Sequence, residues 1–351
     1  MKKLGKPDRA ARTNYLTYAF VVVAFVVLQL LSQGAGFSPT LKGQLVPICA
    51  YVVMALSLNL TVGVLGELSL GHAGFMSVGA FSGAVAAVAL QDAIPSVGLR
   101  LALAMIVGAV CAGIVGTLIS VPILRLNGDY LAIVTLAFGQ IIKSLIENFY
   151  VGVDAVGLHF SFLKPNITLG EGGRMILNGP MGIPNVPKIS TFAAGFILVM
   201  ITLFVIFNFV RSRSGRAIMA VRDNRIAAES VGINITKYKM MAFVTSAALA
   251  GAAGALFALG KNTIVASKFD FNTSILILVF VVLGGLGNMW GSIIAAAALT
   301  ILPEALRGLA DYRMLIYAVV LILVMLGTNS LQLKNLFGRL FPLSRNKKEE
   351  A

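Results

Sequence analysis

Charged residues, histidines and cysteines are all scarce in this sequence. Only 12% of its 351 residues are charged, whereas a soluble domain typically has about 25%. The two histidines, His72 and His159, are too few for a metal site, and the two cysteines, Cys49 and Cys111, fall in apolar runs where buried free thiols are expected. The composition therefore argues against two or three soluble domains, a metal centre or a disulfide-bonded scaffold.

Apolar sequence is abundant instead, at 58% of the residues. Several runs exceed the roughly 18 apolar residues that mark a membrane-spanning helix. The predicted spans are 15–31, 46–64, 68–90, 99–121, 130–146, 189–210, 240–260, two within 274–302, and 314–326. We predict an all-α, polytopic membrane protein, a single domain over residues 1–351 with about ten transmembrane helices; eight would keep the same parity. The run 15–31 is longer than the roughly 7 to 15 residues of a signal-peptide core, which favours an uncleaved first helix.

The net charge of +14 is concentrated in a few segments. Of the 28 lysines and arginines, five precede Thr13, seven lie in residues 211–239 and five follow Leu333. Basic residues accumulate on the side of the membrane that is not translocated. We therefore predict that both termini, the loop 211–239 and the tail 334–351 are cytoplasmic. The loop 151–188, with three basic residues, is predicted to be external.

The loop 211–239 is predicted to form two short helices with a break between them. Gly215 interrupts the preceding span, Asn224 is an N-cap type of residue before a helix that begins at Arg225, and Gly232 suits the left-handed turn that ends a helix. The mixed apolar and charged surface favours docking to a partner. The alternative is a solvated connector, although connectors are usually far shorter.

Four blocks of sequence resemble one family of transport proteins. They are Asn59-Leu60 with Gly66–Phe75, Asp129–Gly139, Ala227–Asn234 and Gly284–Gly291. In this order they are similar to the permeases of ABC importers, in the LivM type found in high-affinity branched-chain amino acid systems. Residues 227–234 resemble the coupling loop that contacts the ATPase in that family.

The resemblance implies a transport subunit of a bacterial inner membrane, which is not itself an enzyme. It implies a paralogous second permease, two cytoplasmic ABC ATPases that hold the ATP and magnesium, and an extracytoplasmic amino acid-binding protein. The implied cargo is leucine, isoleucine and valine; urea and short-amide importers have closely similar permeases, so that alternative stays open. The predicted ATPase-coupling residues are Arg216, Arg222, Arg225, Glu229 and Gly232.

Each half of the chain contains one apolar segment that is interrupted by glycines. This pattern is expected where irregular backbone lines a transport path, and ten spans would make the halves inverted repeats. The candidate pathway residues are Asn59, Glu67, Ser69, His72, Gly284, Gly285 and Gly287. Two alternatives stay open: Glu67 in water at the inner interface with His72 bonded to a neighbouring helix, and residues 274–302 as one tilted helix.

Two other functional classes are less consistent with the sequence. An ion-coupled secondary transporter would need an acidic residue deep in a span, and a membrane enzyme would need clustered catalytic groups. Residues 254–261 end in Gly-Lys but fail the spacing of a phosphate-binding loop, so no ATP, cofactor or metal site is predicted on this chain. Lys143 and Glu147 are predicted to form a structural pair, and Gly79 and Gly83 a packing face.

Overall fold

The computed structural model describes residues 9–33, 39–91, 93–123, 129–154, 158–162, 173–305, 318, 319 and 322. The described chain is mostly helical, which agrees with the prediction of a polytopic helical protein. Its α-helices are α1 Arg9–Gln33, α2 Pro39–Asn59, α3 His72–Ala89, α4 Val97–Ile123, α5 Asp129–Glu147, α6 Phe192–Arg211, α7 Arg213–Asp223, α8 Arg225–Ser230, α9 Ile235–Ala258, α10 Phe271–Gly284 and α11 Met289–Ala305. A π-helix, Leu60–Leu65, continues α2, and short 3-10 helices cover Gly179–Met181 and Ala266–Lys268.

Seven helical segments of the described chain are long and apolar enough to cross a membrane. They are Leu41–Leu65, His72–Ala89, Val97–Ile123, Tyr130–Glu147, Phe192–Arg211, Ile235–Ala258 and Ala266–Gly284, and two shorter apolar helices cover Leu16–Leu31 and Met289–Glu304. Residues 1–8 and 124–128 and the predicted cytoplasmic tail 334–351 lie outside the described residues, as does most of the predicted last span. The number of spans therefore stays a prediction.

A small antiparallel sheet, which the all-α prediction omitted, occupies part of the loop 151–188. Its strands are β1 Phe149–Val153, β2 Leu158–Phe162 and β3 Arg174–Asn178, in the order β2-β1-β3. The segment that follows β3 pairs with the turn after α9, through a bridge between Ile183 and Ile264 and a bond from Val186 N to Asn262 O at 2.8 Å. We call this end of the helices the sheet end.

Helix α9 packs mainly against α2, α3 and α4 and forms the centre of the described helices. The packing depends on small residues, because a Cβ on Gly79 of α3 would overlap the backbone of Gly251, and one on Gly83 would lie 2.6 Å from the Cβ of Ala255. The predicted packing face of Gly79 and Gly83 is thus confirmed. The helices approach closely, as small residues allow in membrane proteins.

The opposite end of α9 carries α7 and α8. Val221, Ala228 and Ile235, one residue from each of the three helices, form a small hydrophobic core, with Ile233 packed against it. Because α9 has 24 residues and an α-helix rises about 1.5 Å per residue, this loop end and the sheet end are roughly 36 Å apart.

The chain divides into two compact units, residues 1–297 and 298–351. The first unit holds α1 to α10, the sheet and the start of α11. The described part of the second unit is the end of α11 and residues 318, 319 and 322, which are helical.

Candidate functional site

The first glycine-broken segment begins where α2 changes into a π-helix. Residues Leu60–Leu65 are all buried, and the π-helix ends at Gly66, whose φ is 80°. From Gly66 to Gly71 the backbone is irregular, and α3 then begins at His72. The break therefore precedes α3, which starts at His72, four residues after the start of the predicted span 68–90, and Gly79 and Gly83 lie within the helix. We call residues 59–72 the junction.

Neighbouring helices satisfy the irregular backbone of the junction. The amide of Leu70 donates to Thr135 Oγ1 of α5 at 3.0 Å, and the amide of Ala73 donates to Ser274 Oγ of α10 at 3.1 Å. Gly71 lies so close to Thr135 that a Cβ would overlap the Thr135 carbonyl oxygen. Irregular backbone within a membrane is tolerated where protein surrounds it or where it lines a cavity, and here neighbouring helices bond part of it.

His72 is buried and bonded to a neighbouring helix, as one of the open alternatives predicted. Its Nε2 atom lies 2.8 Å from Ser57 Oγ, which is also 2.9 Å from the carbonyl oxygen of Met54. Since the single hydroxyl proton of Ser57 is donated to Met54, we assign His72 Nε2 as the donor to Ser57. The Ser57 carbonyl accepts from Ser246 Oγ at 2.5 Å, so this network connects α2, α3 and α9.

Asn59 connects the first glycine break to the second one. Its Nδ2 atom donates to Ser292 Oγ at 2.9 Å, and its Oδ1 atom accepts from the amide of Gly287 at 2.8 Å. Gly63, one turn farther on, faces the same contact, because a Cβ there would overlap both Asn59 Oδ1 and the Gly287 amide. The two broken segments therefore pack directly against each other.

The second break is a glycine turn between two helices. Helix α10 ends at Gly284 and α11 begins at Met289, and Gly285 and Gly287 have φ values of 91° and 79°. Gly291 packs against the backbone of Gly284, so the helices come very close. The predicted division of residues 274–302 is confirmed, and the single tilted helix is wrong.

The loop 211–239 forms the two predicted short helices. Asn224 Oδ1 caps α8 by accepting from Ala227 N at 3.0 Å, and Gly232, with φ 83°, ends α8. The break before α7 falls at Ser212, whose hydroxyl accepts from Gly215 N at 3.1 Å. The prediction that Gly215 itself interrupts the span was wrong, because the Ser212 cap starts α7 before Gly215.

Two contacts join this loop to the junction, one made by Arg222 and one by Lys239. Arg222 was predicted as a site residue, and Lys239 was not. The Arg222 guanidinium donates from Nη1 to the carbonyl oxygen of Gly63 at 3.1 Å, and its aliphatic stem covers Gly66. Lys239 forms an ion pair with Glu67, and their side chains are only 6% and 14% exposed. Glu67 is therefore paired and mostly buried, so the alternative that placed it in water at the interface is wrong.

The remaining coupling-loop residues lie on the exterior. Arg225, Glu229 and Gly232 are exposed, and Arg216 Nη1 donates to the carbonyl oxygen of Arg211 at 2.9 Å. Beside them are two exposed apolar side chains, Ile226 at 82% and Val231 at 74%. Sequence reasoning missed these two, although apolar residues next to the N-cap and the terminal glycine of an exposed helix could have been noticed.

Ser69 lies within the junction, and its hydroxyl is buried without a hydrogen-bond partner among the described residues. The hydroxyl of Thr61 is in the same situation. Two unsatisfied hydroxyls in one short irregular segment are unusual, because buried polar groups are normally bonded.

A basic group lies at the sheet end, in the turn after α9. Lys261 stands over the ring of Phe257, with Nζ 5.7 Å from the ring centroid. Burial lowers the pKa of Lys261 from its usual 10.5, and the charges of Lys268 and Lys188 lower it further. The described residues contain no group of three or more metal-ligating side chains.

The chain is similar to known permease components of transport systems. The family model described as branched-chain amino acid transport system / permease component matches residues 41–325. The chain is 35% identical over 295 residues to the LivM permease proteins of the high-affinity branched-chain amino acid transport systems of Salmonella typhimurium and Escherichia coli, covering 79% of this chain and 66% of each relative. It is 24% identical over 275 residues to a probable LivM permease of Methanocaldococcus jannaschii, covering 69% of this chain and 74% of the relative.

The chain thus spans about two thirds of the length of the bacterial relatives, at 66%. No solved structure matches it. The family match and the seven long apolar helices identify a multi-pass membrane protein. The chain belongs to the family of permease components of branched-chain amino acid transport systems.

Proposed function

We propose that this chain is the membrane-spanning permease subunit of an ATP-driven ABC importer for branched-chain amino acids. In this proposal it pairs with a paralogous permease, and α7 and α8 dock onto cytoplasmic ATPases that hold ATP and magnesium. An extracytoplasmic protein delivers the amino acid, and the location is the bacterial inner membrane. The chain itself neither binds nor hydrolyses ATP.

The observation that carries the proposal is the attachment of the loop to the junction. A force applied to α7 reaches the π-helix through Arg222, which holds the carbonyl oxygen of Gly63. A force applied at the start of α9 reaches the same junction through the buried pair of Lys239 with Glu67. A connector that merely joined two spans would not need contacts to residues 159 and 172 positions away in the sequence.

The exterior of the loop suits protein docking. Ile226 and Val231 are exposed apolar residues at the two ends of α8, and Arg225 and Glu229 lie exposed beside them. An apolar contact surrounded by charged residues is typical of protein interfaces. A loop solvated on all sides would leave both apolar side chains in water without compensation.

In this proposal the junction and the glycine turn are the segments that respond to movement of the loop. A π-helix within an α-helical span is frequent at functional sites. Asn59 then couples any movement to Gly287. The loop, the junction and the glycine turn thus form one continuous chain of contacts.

Two alternatives make different predictions. A urea or short-amide importer would share the architecture and differ in cargo, which uptake of labelled substrates distinguishes. An ion-coupled secondary transporter would work without ATPase subunits, so purification in mild detergent separates it: an importer subunit retains ATPases, and a secondary transporter does not.

The turn at Gly232 offers a direct test of coupling. Its φ of 83° is strained for any β-branched residue, while no atom lies within 4 Å of a Cβ placed there. Gly232→Val therefore perturbs the backbone alone, at about 1–3 kcal/mol. Gly232→Asn is the matched control, since asparagine adopts the left-handed conformation at little cost.

In the reconstituted complex we expect Gly232→Val to accumulate normally but to lose both amino acid uptake and the ATPase stimulation caused by loaded binding protein. Gly232→Asn should keep both. Normal stimulation in Gly232→Val at normal abundance would show that the loop is a connector.

A further inference from the structure

We propose that the outer half of α5 presents a water-exposed path for a small amphipathic solute, with Gln140, Ser144 and Asn148 as its polar side. The inference deepens the proposed function and rests on it, because the solute it fits is the zwitterionic, apolar-chain cargo named there. It assigns a role to a face of the described chain that neither the loop nor the junction explains.

Helix α5 has one buried and one exposed face. Leu131, Thr135 and Ile142 are buried, and Gly139 packs on Gly71 and Gly74 of the junction and α3. The opposite face is exposed and changes character along the helix. Its first half carries Tyr130 and Ile133, at 72% and 62% exposure.

The second half of the same face carries polar groups at helical spacing. Ser144 and Asn148 are exposed and Gln140 is half-buried. With Ile141, Leu145 and Phe162 of β2 they line an open cavity of about 330 Å³. Gln140 lies seven residues before the end of α5, which places it about 10 Å inside the span.

The side chains of Gln140 and Ser144 are not satisfied in the way that other exposed hydroxyls of the helices are. Thr117 of α4 and Thr245 of α9 each donate to their own helix, to Gly113 O at 2.8 Å and Met241 O at 2.7 Å. Among the described residues, the side chains of Gln140 and Ser144 make no hydrogen bond. Asn148 donates to the Ser144 carbonyl at 2.9 Å and leaves its own oxygen available.

Contact with lipid is energetically unfavourable for this polar face of α5. An amide or hydroxyl that faces hydrocarbon without a partner costs several kcal/mol by transfer scales, so polar groups within spans usually face water or protein. Water and a polar solute satisfy all three side chains. The ion pair of Lys143 with Glu147, at 3.9 Å on the adjacent face, is also only partly exposed, which agrees with the predicted structural pair.

The chemistry of the cavity indicates the kind of solute. Neutral carboxamide and hydroxyl groups can both donate to a carboxylate and accept from an ammonium group, and they bind either one weakly. Ile141, Leu145 and Phe162 offer an apolar surface for a branched aliphatic chain. Weak binding suits a path, because a solute must leave as well as enter.

The test uses the full chain in right-side-out vesicles from its native membrane, with Cys49 and Cys111 replaced by alanine. Single cysteines at Ser144 and at Ile114, a 58% exposed residue of α4, are treated with a charged, membrane-impermeant methanethiosulfonate. We expect Ser144→Cys to react at least about tenfold faster than Ile114→Cys. The reagent attacks the thiolate, a thiol in lipid stays protonated, and each unit by which the thiol pKa rises lowers the thiolate fraction tenfold. Equal, slow labelling would mean that lipid or a dry partner helix covers the face, and would overturn the proposal.

Uptake supplies a second measurement. Ser144→Leu should lower the initial rate of leucine uptake about fivefold, the effect of losing one ordinary hydrogen bond, while Thr117→Leu leaves it unchanged. Unchanged uptake in Ser144→Leu at normal abundance would refute the path. If the unaltered complex takes up no branched-chain amino acid, the proposed function fails. The labelling result still decides whether this face of α5 is exposed to water.

Discussion

Removing one member of the buried ion pair between Glu67 and Lys239 is the sharpest test of how the loop is attached. In Lys239→Met the apolar stem is kept and the charge is lost, so the Glu67 carboxylate remains in a site where its side chain is 14% exposed. Breaking a buried pair by removing one partner costs about 3–5 kcal/mol, because the other charge is left uncompensated. The double variant Glu67→Gln with Lys239→Met removes both charges and should recover most of that loss.

The expected loss of stability in Lys239→Met can be measured as a lower melting temperature. Taking about 2 °C per kcal/mol for a chain of this size, Lys239→Met should lower the apparent midpoint by roughly 6 to 10 °C. The measurement is thermal unfolding of the detergent-solubilised complex, followed by loss of the monodisperse fraction. Lys237→Met, an exposed lysine two residues earlier, is the matched control and should change the midpoint by no more than about 1 °C.

The reasoning has two ways to fail. If Lys239→Met and Lys237→Met give the same midpoint, the Lys239 pair is not a buried contact. If the double variant is as unstable as Lys239→Met alone, the loss comes from packing of the lysine stem and not from an unpaired charge. Either result would remove one of the two contacts on which the coupling argument depends.

Three further predictions concern other parts of the chain. Gly63→Ala should destabilise the protein by about 1–3 kcal/mol because its Cβ overlaps the amide of the second break, whereas Gly43→Ala, with no atom within 4 Å, should be neutral or slightly stabilising in the same thermal assay. Because burial above all lowers the pKa of Lys261, the folded state disfavours its charged form, so the stability lost by burying Lys261 should shrink as the pH increases towards 10.5. Lys261→Met should therefore melt higher than the unaltered protein at neutral pH, and an advantage that does not shrink near pH 10.5 would contradict this account. A single cysteine at Asn178 should be labelled only from outside and one at Arg222 only from inside, and the reverse pattern would overturn the predicted topology.

Much of the helical framework followed from sequence because its signals are local. An apolar run long enough to span the membrane predicts a helix whatever surrounds it, which located the seven long apolar helical segments of the described chain. The cap at Asn224 and the left-handed turn at Gly232 depend only on residues within one turn. The turn after Gly284 was predicted for the same reason, because 29 mostly apolar residues exceed one span and glycines mark the place where the chain can reverse.

The tertiary structure decided which of the polar residues act together. Lys239 was counted among the basic residues of a cytoplasmic loop, yet it is a buried partner of Glu67, 172 residues away. Asn59 meets Ser292 across 233 residues, and Arg222 meets Gly63 across 159. No local pattern specifies such pairs, because a basic side chain in a loop and a basic side chain in a buried pair look alike in sequence. Their roles are fixed only when packed helices exclude water and bring side chains from distant parts of the sequence within hydrogen-bonding distance.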